Sequence, residues 1–426
     1  MPVAWRSMST DANPRPTRVT SIDAARGVVM FTMIFVNDIA GVSHQVVPDW
    51  LRHFKGRSGM TFVDLVFPAF LFIVGMSIPC ALGGRLRAGE PVCKTLRHVL
   101  ARTLSLLVIG ILMVNDESPG PDMAGLSPDL WAVLMFLCAI LAFCSISPPA
   151  RTEPSAETKS RWRWITRGLR CAGWAGMLAL AFMFRGDKGQ RIITLSPLAV
   201  HTSWFGILGL IAWAYLVGSI VYLAFRGSAT ALLGCMALLL ALYPADKTGA
   251  FDGLWLSRHV GIGEMLGAHP SITVAGLLLA SILPPMGKPD LSARLRFTAW
   301  FILGCAAAAL LLEGLYGINK NAATPSWCLW ACAFTALLWL VFHILSDIGP
   351  VHPVARIFAL AGQNVLLAYL LSEMLPSAAA LLGVNQWYDK AGEISLAAAI
   401  GRSAALGAAL LAGTVGLNRI GFRLRI

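Results

Sequence analysis

His53 to Pro79 reads HFKGRSGMTFVDLVFPAFLFIVGMSIP. It opens with a histidine, two cations and two glycines, then passes through Asp64 into an apolar run. Leu65 to Leu82 carries no charge, and a run of about 18 such residues is long enough to cross a bilayer. The stretch therefore predicts a membrane helix with a carboxylate at its lip and a histidine one loop before it. The rest of the chain agrees with that class. Hydrophobic residues make up 57% and charged residues 13%, with mean hydropathy +0.68, whereas a soluble domain carries about 25% charge. The uncharged runs are helix-length rather than the short alternating segments of a membrane barrel.

Working outward, apolar segments fall at 27–43, 62–82, 98–114, 129–147, 171–184, 202–225, 228–245, 271–286, 297–312, 327–346, 357–382 and 395–417. The expected fold is an all-α, polytopic transmembrane helical bundle of about 12 spans, within a range of 10 to 12 because the fifth segment is short. The net charge of +12 is spread through the connections instead of forming one patch, so it reads as topology and not as nucleic-acid binding. Most Lys and Arg fall on the side of the N-terminal tail, the even-numbered connections and the C-terminal NRIGFRLRI, which places both termini in the cytoplasm. Residues 1–18 are expected to be a disordered cytoplasmic tail and 19–426 a single membrane domain. The basic connection 148–170 suits anionic lipid headgroups or a polyphosphate ligand. The nine cysteines show no CxxC pair and read as small apolar residues, and no metal site is expected.

Ionisable and amide groups at membrane depth are costly and mark candidate sites. They are Asp64, Glu313 at the close of the ninth segment, Glu373 and Asn37, with Asn319, Lys320 and Asn321 just beyond the ninth segment. By topology most lie at the outer interface with His53. A neutral histidine can take a proton, a carboxylate on its other nitrogen fixes the tautomer, and an amide can donate to an oxyanion. Together these roles make an acyl-transfer site, although spacing alone does not dictate it. Each residue also has a plainer use. Asp64 or Thr61 can cap the second helix, Asn37 can bond a neighbouring helix, and Lys320 can anchor at the interface.

The blocks RVTSIDAARGVVMFTMIFVND, WLRHF, MTFVDLVFPAFLFIVGMSIP, GINKNAATPSW and QNVLLAYLLSEM resemble the membrane domain of the heparan-α-glucosaminide N-acetyltransferase family and its bacterial relatives. The resemblance implies transfer of an acetyl group from cytosolic acetyl-CoA to an amino sugar on the periplasmic side of a bacterial inner membrane. It implies His53, Asp64 and Asn37 as the catalytic set. It also implies Asn319, Lys320, Asn321 and Glu373 near the substrates, Arg26, Arg97 and Arg102 on the CoA phosphates, and makes a homodimer reasonable. Expected partners are membrane lipid, acetyl-CoA and a sugar acceptor. Two departures bear on the acceptor pocket and inner wall. The loop HFKGRSGMTFVD is one residue longer than the family's and lacks its tryptophan, and Gly209 and Leu210 stand where the family has Gln-Arg. The fourth and fifth segments look like an inserted pair. The alternative reading is a proton-coupled (N-acetyl)glucosamine transporter with Asp64 and Glu373 as coupling carboxylates, and a third is a member that kept only the fold.

Overall fold

A computed structural model of the protein describes residues 19–147, 155–196, 198–226, 228–283 and 290–425. The tail expected over 1–18 and the start of the basic connection, 148–154, lie outside the described residues. What is described is a helical bundle. Its helices are α1 (Thr20–Ile39), α2 (Val66–Arg87), α3 (Val92–Asn115), α4 (Pro128–Phe143), α5 (Ala156–Met183), α6 (Gly206–Phe225), α7 (Ala229–Lys247), α8 (His269–Ala280), α9 (Leu291–Tyr316), α10 (Pro325–Ser346), α11 (Pro353–Ala361), α12 (Val365–Leu381), α13 (Asn385–Glu393) and α14 (Leu396–Arg419). Two strand pairs accompany them. β1 (Cys144–Ile146) pairs with β4 (Phe422–Leu424), and β2 (Ile193–Leu195) with β3 (Leu198–Val200), both antiparallel.

Among the described residues, eight helices are long and apolar enough to cross a membrane, or nine if the pair α11 and α12, bent by 71°, is one span. Each of the twelve apolar segments of the sequence overlaps a helix within its described residues, 284–286 of the eighth lying outside them, but three of these helices miss that mark. α1 carries Asp23, Arg26 and Asp38, α4 has 16 residues, and α5 starts with a charged stretch. The basic connection is not a loop over 156–170. It forms the first half of α5. The long connection expected at 246–270 is shorter too, because α7 runs to Lys247 and a π-helical segment (Ile262–Ala268) leads directly into α8. All nine cysteines are free, and Cys171, placed by sequence in an apolar run, is exposed on α5.

Helices α2 and α8 are the central pair, the apolar windows that contain them 67% and 83% buried, while those of α7 and α9 are 17% buried and so sit at the periphery. Association in a bilayer lacks a hydrophobic drive between helices, and small residues that let backbones touch take its place. Two reciprocal glycine pairs do this here. A Cβ on Gly75 would lie 1.9 Å from the Thr273 carbonyl oxygen, and one on Gly276 would lie 2.0 Å from that of Phe72, so α2 and α8 meet backbone to backbone. Likewise a Cβ on Gly27 would lie 2.0 Å from the Phe358 oxygen and one on Gly362 1.9 Å from that of Asp23, which seats α1 against α11. No rotamer relieves a clash with backbone. Gly276→Val is therefore expected to abolish the folded detergent-solubilised protein in a size-exclusion or thermal-melt assay, whereas Gly304→Val, which meets nothing within 4 Å on peripheral α9, leaves the melt within about 1 kcal/mol of wild type.

Candidate active site

The site begins with a capping arrangement. Thr61 precedes the 3-10 turn Phe62–Leu65 that starts the second helix, and its backbone N–H donates to Asp64 Oδ2 at 3.0 Å. The Phe54 N–H donates to the same oxygen at 3.1 Å. Asp64 thus does cap the helix entry, and the capping consumes one carboxylate oxygen. The other, Oδ1, lies 2.7 Å from His53 Nδ1. The carboxylate is buried, its side chain 3% exposed, while that of His53 is 45% exposed. Thr61 Oγ1 donates to the Arg52 carbonyl at 2.6 Å, closing the loop on itself. Because a carboxylate accepts and does not donate when ionised, Nδ1 is the donor in this contact.

Lys320 arrives from a loop 267 residues away, its Nζ 3.2 Å from Nδ1 and 3.4 Å from Nε2 of His53. Two backbone-level bonds bring it there. The Gly59 N–H donates to the Ile318 carbonyl at 2.9 Å, and the Ile318 N–H donates to Ser58 Oγ at 2.9 Å. Gly317, at φ 65°, turns the chain out of α9 to make this pairing. Burial lowers the Lys320 pKa, partly offset by the Asp64 carboxylate. Ser58 and Gly59 of this loop thus hold Lys320 over the histidine.

The other expected residues distribute differently. Asn37 Nδ2 donates to Glu373 Oε1 at 3.0 Å, uniting α1 and α12. Among the described residues neither makes a direct contact with His53 or Asp64, so the sequence-expected constellation resolves into two groups. Asn319 Oδ1 accepts the Ala322 N–H at 3.0 Å and shapes the turn that carries Lys320. Asn321 is exposed.

At the opposite, basic end lies a cavity of about 610 Å³. Arg26, Arg85, Arg102 and Arg425 line its lower part, and Met33, Phe70 and Tyr369 its upper part. Met33 and Tyr369 stand one helical turn below Asn37 and Glu373, so the cavity ends beneath that pair. Phe70 is six residues from Asp64, roughly 9 Å along the helix axis. A side chamber of about 320 Å³ adjoins it and shares Arg85, Arg102, Tyr215 and Arg425. Its outer wall is Phe143 and Trp174 of α4 and α5, with Arg170 and His98. Arg102 lies over the Tyr215 ring at 4.9 Å. Arg97 is exposed and lines neither space, which corrects its assignment. Helical phase gives the reason. At about 100° per residue, Arg97 lies roughly 140° from Arg102, whereas His98, four residues from Arg102, shares its face. Arg85, Arg170 and Arg425 were missed by sequence because they come from three different elements.

Asp116 and Glu117 end α3 on the same side as Glu373. Burial, then the Asp129, Glu117 and Glu373 carboxylates, push the Asp116 pKa up to about 7. A carboxyl whose folded pKa is raised binds its proton more tightly when folded, so its stability contribution is full below about pH 4 and lost as pH rises through about 7. Asp116→Asn, neutral throughout, is expected to melt several degrees above wild type at pH 8, with the gap closing as pH falls toward 4 in a thermal-melt series.

A family described as a domain of unknown function (DUF5009) matches residues 18–252. Human heparan-α-glucosaminide N-acetyltransferase is 26% identical over 412 residues, covering 87% of this chain and 54% of its own length. The mouse protein of the same name is 26% identical over 416 residues, covering 86% and 56%. The chain spans about half the length of the curated relatives it matches. With more than half of its residues inside the matched region and both acetyltransferases aligned along most of its length, the chain belongs to the DUF5009 family and is similar to heparan-α-glucosaminide N-acetyltransferase.

Proposed function

We propose that the chain is a membrane-embedded N-acetyltransferase that moves an acetyl group from cytosolic acetyl-CoA to a glucosamine-like amino sugar on the periplasmic side of a bacterial inner membrane. The observation that carries this is the His53–Asp64 contact, with its buried carboxylate on Nδ1 and the histidine's second nitrogen left as the base. The names of the two relatives support the reaction class. In this reading the 19–426 region is one domain of twelve spans, with both termini and the arginine-lined cavity facing the cytosol.

The donor enters the cavity with its charged end among Arg26, Arg85 and Arg102, and its thioester points toward the outer third. The acceptor amine attacks the thioester carbonyl, forming C–N as C–S breaks. His53 Nε2 takes the amine's proton and returns it to the leaving thiolate, while Asp64 holds the Nδ1 proton and stabilises the imidazolium. Lys320 is the cation at hand for the oxyanion that develops on the carbonyl oxygen. Asn37 and Glu373, directly above the cavity, receive the acceptor's polar groups. A route through acetyl-His53 uses the same nitrogen. The transporter reading draws on the 71° break between α11 and α12, a motif that transporters place at their substrate sites. It differs in predicting sugar movement without donor turnover.

Purified protein with radiolabelled acetyl-CoA and glucosamine tests the choice. Wild type is expected to form acetylated sugar, and His53→Ala to lose about 10²–10⁴-fold in kcat. Lys320→Ala is expected to lose about 10²-fold in kcat with KM for the sugar little changed, as removal of an oxyanion donor does. Sugar uptake into liposomes with no acetyl transfer would overturn the enzyme reading.

A further inference from the structure

The inner cavity contains a feature that no residue assignment so far uses. Between α11 and α12 the chain bends by 71° through Gly362, Gln363 and Asn364, and these residues with Val365 and Leu366 line the cavity. Helix α12 has 17 residues, no side-chain N-cap bond and no acidic residue in its first turn. The Leu367 and Ala368 N–H groups both reach the Asn364 carbonyl, at 3.1 and 3.3 Å. Those of Val365 and Leu366 have no acceptor among the described residues. The positive end of the helix dipole is thus left open beside the cavity, at a position where helices hold phosphate.

A second, independent observation comes from the Asn364 side chain. It is 5% exposed, and its Oδ1 accepts the Leu424 N–H at 3.2 Å. Its Nδ2 has no hydrogen-bond partner. A buried amide donor left unpaired costs about 1–3 kcal/mol, and this one sits in the cavity wall. Arg26 adds the charge and is fixed at the break. Its guanidinium donates to the Gly362 carbonyl at 3.2 Å, Ser77 Oγ at 2.6 Å and Asp23 Oδ1 at 2.7 Å. Among the described residues Asp23 is the one carboxylate in the lining, paired with Arg26, and Arg85, Arg102 and Arg425 share that lining.

We propose that the α11–α12 break is a phosphoryl-anion site in which Asn364 Nδ2 and the first N–H groups of α12 receive the diphosphate of the donor. The proposal rests on the acetyl-CoA reading for its ligand and on the cavity wall for its chemistry. The site needs no group to move far, since the donors come from backbone and from one buried amide already held by Leu424. It also gives the helix break a purpose, because an unbroken helix would turn its N–H groups back onto its own carbonyls.

Asn364→Asp is the decisive variant. It keeps the Oδ1 acceptor for Leu424, replaces the unpartnered N–H donors with an oxygen, and adds a negative charge to the site. The purified full chain in detergent is titrated with coenzyme A, pantetheine and inorganic diphosphate. Wild type is expected to bind coenzyme A in competition with diphosphate. Asn364→Asp is expected to bind coenzyme A at least about 10-fold more weakly, which is about 1.4 kcal/mol, with pantetheine affinity unchanged. A variant that fails to fold leaves the wild-type competition to decide. Coenzyme A that binds wild type undisplaced by diphosphate, or binds both forms equally, overturns this site while leaving the acetyl-CoA reading standing. Diphosphate that binds wild type in an Asn364-dependent way, with no gain from coenzyme A and no transfer, keeps the anion site and removes acetyl-CoA as its source.

Discussion

The architecture depends on backbone touching backbone at two glycine pairs. In lipid, helices gain little by covering apolar side chains, so close approach and internal hydrogen bonding must supply the adhesion. Gly75 with Gly276 seats α8 against α2, and Gly27 with Gly362 seats α11 against α1. The second contact also fixes where the α11–α12 break falls, since Gly362 is the first residue beyond α11. Once α1 lies there, Arg26 can reach only a short list of acceptors, and the Gly362 carbonyl is one of them. The cavity wall thus follows from the helix packing and not from its own side chains.

The two ends of the molecule use charge in opposite ways. At the His53 end a single buried carboxylate is saturated by two backbone N–H groups and an imidazole, which makes it a rigid support. At the basic end the arginines outnumber their carboxylate partners within the cavity lining. Fields in such a low-dielectric cleft are strong, and a surplus of one sign attracts a ligand of the other. Under the proposed transfer, an anion drawn into one end and a histidine base at the other is the polarity the reaction would call for.

Much of the fold was legible because uncharged runs leave few alternatives to helix, and each of the twelve apolar segments overlaps a helix within its described residues. Asp64 was legible as both cap and partner, since three residues from Thr61 and one loop from His53 are local distances. Other features were hidden for identifiable reasons. Lys320 reaches His53 through Ser58 and Gly59, a pairing between loops more than 250 residues apart. The partner of Asn37 is on α12, and no spacing rule links them. Arg97 was misplaced although the helical phase of α3 held the answer. The π-helical segment before α8 and the short helix α13 lack the long apolar run that announces a span.

The pairing of β1 with β4 carries a consequence for how the protein is made. Cys144 faces Leu424 across the ladder, and Leu424 and Arg425 are part of the cavity wall. The chain is made from its N-terminus, so β1 and every helix of the bundle are synthesised before residue 422. Until the strand Phe422–Leu424 emerges and docks, the basic chamber lacks one side and the Asn364 oxygen lacks its donor. Removing the strand Phe422–Leu424 from an otherwise complete bundle would therefore open the chamber on one side and leave Asn364 Oδ1 without its donor.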